Sequence, residues 1–354
     1  MTQSKDYDFL VFIGRFQPFH QGHFSVIQKA LELSEQVIIL CGSAHQPRSA
    51  RNPWSFKERE AMISTSIPVS DKEKVHVAPL MDILYNDETW VRNVQTTVNG
   101  IVTAHHRAPH KLPKIGLIGH SKDHSSYYLN LFPQWGAVNV SNYKALNSTD
   151  IRESYFKHTD KRSFIQSAIQ DRLITDQVAK YLNDYSTNEN YAQVKDEFEF
   201  VEKYKKAWNT APYPPTFVTV DALVVQSGHV LMVERKARPG KGLLALPGGF
   251  LNQNERLLDA CLRELREETR LKVPAPVLKG SIKAQEVFDE PHRSTRGRTI
   301  THAFHIELEA NKSLPKVKGS DDAKHAMWVP LSELDPRNIF EDHYFIIQSL
   351  LGLQ

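Results

Sequence analysis

The sequence predicts an α/β protein of two domains, the first built on a parallel sheet, and three observations carry that prediction. An apolar run at residues 9–13 passes through a glycine-bearing turn into helical spacing at Phe24, Ile27 and Leu31, and a second run at 37–40 closes a βαβ unit. A polar, proline-punctuated stretch at 186–215 then breaks the pattern. Beyond it, paired β-type runs and an acidic amphipathic helix replace the βαβ alternation. The 354 residues suit two such domains, each large enough for its own core.

Composition narrows the function classes. The 44 Lys and Arg against 41 Asp and Glu leave a net charge of only +3, which gives no case for bulk nucleic-acid binding. Cys41 and Cys261 fall in a predicted strand and a predicted helix of different domains, so both read as buried thiols of a reducing compartment. The N-terminus lacks a signal peptide's apolar core and no run is long enough to span a bilayer, so the cytoplasm is expected.

The stretch Gly14-Arg15-Phe16-Gln17-Pro18-Phe19-His20-Gln21-Gly22-His23 joins the first strand to its helix. Ligands of βαβ units sit where the strand's carboxyl end meets the helix's amino end, and free N–H groups there favour an anion. Arg15, His20 and His23 add donors at the same spot, which suits a polyphosphate. A polar loop at 42–55 follows, with Ser55 as N-cap and Glu58 as its capping-box partner. Arg48 in that loop reads as solvated charge. Residues 75–80 read as a strand leading to Asp82, Asn86 and Trp90, and 114–119 as another, leading to the polar run 120–128 with His120 and Lys122. Finally Asn147-Ser148-Thr149-Asp150-Ile151-Arg152 reads as a Ser or Thr helix cap with an arginine three residues on, aimed at one anion.

Together these segments resemble the nucleotidyltransferase superfamily, whose two signatures are His-x-Gly-His and Ser/Thr-x-x-Arg; the longer form at 14–23 looks like the archaeal-type nicotinamide mononucleotide adenylyltransferases. The resemblance implies a Rossmann-like domain in which Arg15, His20 and His23 are catalytic. It places Gly14, Arg15, Phe16, His20, His23, Arg51, His120, Lys122, Ser148, Thr149 and Arg152 on ATP. Asp82, Asn86 and Trp90 would hold nicotinamide mononucleotide, Trp90 by stacking, although it stands one residue later than the archaeal pattern.

At the junction, Val194, Phe198, Val201, Tyr204 and Trp208 recur at helical spacing before Pro212, Pro214 and Pro215 end the segment. The expected division is 1–185, a linker with an amphipathic helix at 186–215, and 216–354. Residues 217–225 and 230–235 flank Ser227-Gly228 as a hairpin. On a helix from about 255 to 269, Leu257, Leu258, Cys261, Leu262 and Leu265 form one stripe. Glu264, Glu267 and Glu268 gather on one face, a costly arrangement of like charges unless hard cations intervene.

Gly249, Glu255, Arg263, those three glutamates and Leu271 match the Nudix box, with Arg270 where glycine is usual. The resemblance implies a Nudix α/β/α sandwich with a mixed sheet. It gives Glu264, Glu267 and Glu268 catalytic, metal-ligating roles on Mg²⁺, with Mn²⁺ able to replace it, and makes Gly249, Glu255 and Arg263 supporting members. Arg293, Arg296 and Arg298 resemble the ADP-ribose-binding residues of the ADP-ribose pyrophosphatase branch, and nearly the whole chain looks like the bacterial fusion of the two enzymes. Implied partners are therefore ATP, nicotinamide mononucleotide and ADP-ribose, without nucleic acid or membrane, in a homo-oligomer. The competing readings are a non-catalytic, ligand-sensing Nudix domain and a Nudix domain acting on another nucleoside diphosphate derivative.

Overall fold

A computed structural model describes residues 5–106, 111–119, 131–311, 313–319 and 323–353. The chain forms two compact units, Met1–Ile83 with Asp87–Lys195, and Leu84–Asn86 with Asp196–Gln354.

The first unit runs β1 (Tyr7–Gly14), α1 (Gln21–Leu33), β2 (Ser34–Cys41), α2 (Phe56–Ser66), β3 (Val75–Pro79), α3 (Asp87–His105), β4 (Ile115–Gly119) and β5 (Gly136–Asn139), followed by α4 (Ser148–Lys157), α5 (Lys161–Gln170) and α6 (Asp176–Tyr185). Its five strands are parallel in the order β3-β2-β1-β4-β5. The order in which strands are added therefore reverses beside β1, and the crevice at its carboxyl end is where such sheets take ligands. Phe9, Val11, Ile38 and Leu40 bury one sheet face under Val94, Val98 and Val102 of α3, which recur every four residues. The edge strand β5 was not anticipated, since four residues of alternating exposure carry little apolar signal. The Ser55–Glu58 capping box forms as expected. At α4 the cap is Asn147, one residue earlier than expected; its side chain accepts the Asp150 N–H and leaves the Ser148 hydroxyl to donate to the Pro18 carbonyl.

Helix α7 (Glu189–Ala207) buries Val194, Phe198 and Val201, whereas Trp208 lies just past its end and is 44% exposed.

The second unit contains β6 (Phe217–Gln226), β7 (His229–Arg235), β8 (Leu244–Ala245), β9 (Gly248–Phe250), α8 (Leu257–Thr269), α9 (Ala275–Gly280), β10 (Ile282–Phe288), β11 (Thr299–Glu307), β12 (Ala323–Pro330) and α10 (His343–Leu351). Ser227 and Gly228 both take positive φ, the two-residue turn that suits twisted strands. The expected hairpin pairs only at Val225–Val230 and Gln226–His229. Beyond that the strands part: β7 takes β8, β6 takes β9, and β6 runs parallel to β11 along Phe217–Val225. The sheet order β10-β11-β6-β7-β12 is thus mixed. Alternation along β6 sends Val220, Ala222 and Val224 to Ala260, Cys261 and Leu265 of α8, and Leu223 and Val225 to Ile346, Ile347 and Leu350 of α10. The result is an α/β/α sandwich. Both cysteines are buried free thiols. No helix among the described residues is long and apolar enough to cross a membrane.

Candidate active sites

The first site opens at the end of β1. His20 is the N-cap of α1 and His23 its third residue; the His23 N–H donates to His20 Nδ1 at 3.3 Å and the His20 N–H to His23 Nδ1 at 3.2 Å. This reciprocal cap stacks the two imidazoles 3.6 Å apart, and with each Nδ1 accepting, the neutral ring carries its hydrogen on Nε2. Both rings line a pocket shared with Arg15, Phe16, Ser148, Thr149 and Arg152. Arg152 donates to the Gln17 carbonyl at 2.8 Å, and Gln17 exchanges two hydrogen bonds with the Trp54 backbone, so three separate motif segments are tied together.

The charge of this site is compressed. Burial, then the Arg51 and Arg152 charges, pull the Arg15 guanidinium down to about 10; burial, then Arg51, does the same to Arg152. Arg15 Nη1 is buried with no hydrogen-bond partner. Guanidinium groups gathered this closely are stabilised by an anion. Arg59, which looks like a surface arginine of a charged helix, is fully buried and donates to the carbonyls of Arg15, Gly42 and Ser43. It fixes the loops on either side of the site, and nothing in its sequence neighbourhood marked it. Arg48, read as solvated, instead reaches from the preceding loop to ion-pair with Glu58, the capping-box acid of α2, at 2.6 Å.

Asp82 accepts both the N–H and the hydroxyl of Ser43, at the end of β2. Asn86 belongs with the second unit, where neighbouring Tyr85 bonds Asp342 and meets Phe288 edge-on. Trp90 packs against the α3 core, its ring 6.1 Å from Phe132. His120 and Lys122 lie outside the described residues.

The second site is the wedge between β6 and β7. On β9, Gly249 faces α8 and Gly248 faces β6; a Cβ on Gly249 would fall 2.5 Å from Glu264 Oε1, so only glycine leaves the carboxylate its place. Glu268 accepts the Gly248 N–H at 3.0 Å. Arg263 binds Glu255, Glu264 and Glu267 at 2.6, 2.7 and 3.1 Å. Burial raises Glu264 and lifts Glu268 to about 8, whereas bonds from Arg263 hold half-buried Glu255 down at about 2. Three like charges on one helical face repel, and Glu264 and Glu267 share the Arg263 guanidinium while Glu268 takes a backbone N–H; among the described residues no three acidic, imidazole or thiol groups stand together as a finished cage. The oxygen-only donor set and the gap preserved by Gly249 nevertheless fit a hard divalent cation.

Arg270 caps α8 in the left-handed region, φ 53° and ψ 25°, so a side chain adopts the exit that glycine usually provides. Of the three expected ADP-ribose arginines, Arg296 lines the cavity. Arg293 also lines it but is held by Asp342 through two 2.8 Å bonds, and Arg298 is held by Asp289. Arg235, Asp221, Glu341 and His343 line the cavity as well. Sequence reading missed all four: Asp221 and Arg235 sit in strands read for their apolar faces, and His343 and Glu341 lie far along the chain.

Residues 11–154 match the cytidylyltransferase-like family and residues 215–350 the NUDIX domain. The fold is similar to that of a bifunctional NMN adenylyltransferase/ADP ribose pyrophosphatase from Francisella tularensis, with TM-score 0.86 and 36% identity, covering 98% of this chain and 99% of that one. The chain belongs to this bifunctional adenylyltransferase–Nudix family. Each half also has separate relatives. Residues of the first are 38% identical to the nicotinamide/nicotinic acid mononucleotide adenylyltransferase of Acinetobacter baylyi, over 54% of this chain and 94% of that protein. The second is 34% identical to the ADP-ribose pyrophosphatase of Methanocaldococcus jannaschii, over 38% of this chain and 72% of that protein.

Proposed function

We propose that this enzyme makes a pyridine dinucleotide in one unit and degrades ADP-ribose in the other. In the first unit a 5′-phosphate oxygen of nicotinamide mononucleotide attacks the α-phosphorus of ATP. The bond to the β-phosphate oxygen breaks, giving NAD and pyrophosphate. The nucleophile is already an anion, so no general base is needed; alignment and charge neutralisation are. The Nε2–H groups of His20 and His23, the guanidiniums of Arg15, Arg51 and Arg152, and the α1 amino end supply them. Asp82, Asn86 and Trp90 are assigned to the nicotinamide end, His120 and Lys122 to adenosine.

In the second unit water attacks the diphosphate of ADP-ribose and the P–O–P bridge breaks, giving AMP and ribose 5-phosphate. Glu264, Glu267 and Glu268 would hold Mg²⁺, with Mn²⁺ able to replace it; when bound, such an ion neutralises the diphosphate and acidifies water. Arg263 positions two of those carboxylates, and Gly249 keeps the space before them open. The related Francisella tularensis protein was crystallised with AMP and a manganese ion. As functional domains we assign 1–185 and 216–354, joined by the linker 186–215, in a cytoplasmic homo-oligomer.

The observation that carries this reading is likeness along 98% of the chain to a protein named for both activities, with both charged sites formed here. Purified protein should convert ATP and nicotinamide mononucleotide to NAD, and with Mg²⁺ should release AMP from ADP-ribose. Synthesis without hydrolysis would favour a ligand-sensing Nudix half.

A further inference from the structure

Helix α7 reads as a connector in the sequence, yet from Asp196 onward it belongs to the second unit. Glu197 is 6% exposed, and its carboxylate accepts the Gly240 N–H at 3.1 Å. The preceding Asp196 ion-pairs with Arg238. Both partners lie in the loop 236–243 between β7 and β8, which brings Ala237 and Arg238 to the second cavity. Gly240 takes φ 74° and lies so close to Phe340 that a Cβ would fall 2.2 Å from its ring, and Phe340 lines the cavity as well. Further along, Tyr204 and Trp208 meet Phe217 edge-on at 5.9 and 5.2 Å, and Phe217 meets the cavity residue Phe250 in the same way at 5.9 Å. This segment thus reaches two separate stretches of cavity wall from behind, while none of its described residues lines the cavity itself.

We propose that Glu197 is a positioning residue of the hydrolase, holding the 236–243 loop where the substrate needs its wall, so that the connector is a working part of the second site. The loop's own hydrogen bonds, Gly242 N–H to the Arg235 carbonyl, Leu243 N–H to the Gly240 carbonyl and Arg235 Nε–H to the Pro239 carbonyl, shape the turn but run within it. The bonds from α7 tie it to another element. Glu197 stands beside buried Phe198 and Val201, where a helix that merely tethered two domains would gain more from an apolar side chain. Removing its carboxylate leaves the Gly240 N–H buried without that acceptor, a cost the loop relieves by moving off the helix.

This inference rests on the diphosphatase reading. Its test assays the full chain with Mg²⁺ on ADP-ribose and on other nucleoside diphosphate derivatives, and follows ADP-ribose binding by calorimetry without the ion. Glu197→Ala should raise KM and Kd for ADP-ribose about 10-fold and change kcat by less than about threefold. Glu197→Gln keeps an acceptor oxygen and should return KM to within about twofold of wild type, which a requirement for charge alone would not allow. Asp196→Ala, at an exposed position that does not endanger folding, releases Arg238 and should raise KM about threefold. Glu199→Ala, exposed on the same helix, controls for lost charge, and melting temperature and NAD synthesis report whether each variant folds. A KM within about twofold of wild type for Glu197→Ala, or for Asp196→Ala where the first variant does not fold, would overturn the brace, and so would a loss confined to kcat. Wild type that cleaves another derivative but not ADP-ribose would overturn the substrate reading alone, the brace then being read in the KM for that derivative. Wild type that binds ADP-ribose and cleaves nothing would overturn the diphosphatase reading, the brace then being read in Kd. Neither binding nor cleavage would overturn both.

Discussion

The two sites place charge in opposite ways. In the first, cations are locked before any ligand arrives: Arg152 on the Gln17 carbonyl, the loop of Arg15 on Arg59, and the imidazoles on each other's backbone. In the second, acids sit on one turn of helix and are restrained by Arg263 and a backbone N–H. A polyphosphate substrate brings its own negative charge to the first site, so the protein supplies geometry. The second must gather a cation as well as a substrate, so it supplies carboxylates and separate arginines. The contrast predicts that damage to one site leaves the other working.

The sharpest way to break the comparison is a reciprocal pair. His20→Asn keeps an N-cap acceptor yet should lower NAD synthesis by about 10³-fold, with ADP-ribose hydrolysis unchanged. Glu267→Gln should abolish hydrolysis and spare synthesis. Loss of both activities in either folded variant would end the claim of independence. Next in size is Arg59→Met, which strands three carbonyls and should cost the first unit about 3 kcal/mol, read as a lowered first transition in calorimetry.

A smaller effect concerns acid. Burial holds His343 down at about 3, below its ordinary value, while its Nδ1 accepts the Leu246 N–H. Between those values the unfolded chain binds more protons, so stability is fully present above the ordinary histidine range and is lost as pH falls. Wild type should lose about 2 kcal/mol more than His343→Asn between pH 7 and pH 5, by denaturant titration. The smallest expected change is a gain: Arg270→Gly relieves a left-handed side chain and should add about 1 kcal/mol without altering hydrolysis.

Legibility differed between the halves for physical reasons. Periodicity exposed β1 to β4, the Ser55 cap and the α8 stripe, because each is a local pattern. The partial hairpin was invisible, since what parts β6 from β7 is the later arrival of β8, β9 and β11. Among site residues, the His20–His23 pair declared itself through spacing, and the glutamates through their crowding. Arg59 and Arg235 did not, because only burial separates them from ordinary surface arginines. Arg293 and Arg298 looked alike in sequence to Arg296; Asp342 and Asp289, which claim them, could be recognised only in three dimensions.

The parallel pairing of Phe217 with Thr299 has a consequence for biosynthesis. A nascent polypeptide halted before Thr299 already contains every glutamate of α8, yet β6 lacks its long neighbour and keeps an open edge. Closing a contact so distant in sequence is slow compared with forming the helix itself. The hydrolytic half therefore assembles around its chemistry last, and a fragment that ends soon after the glutamates would be a signature without an enzyme.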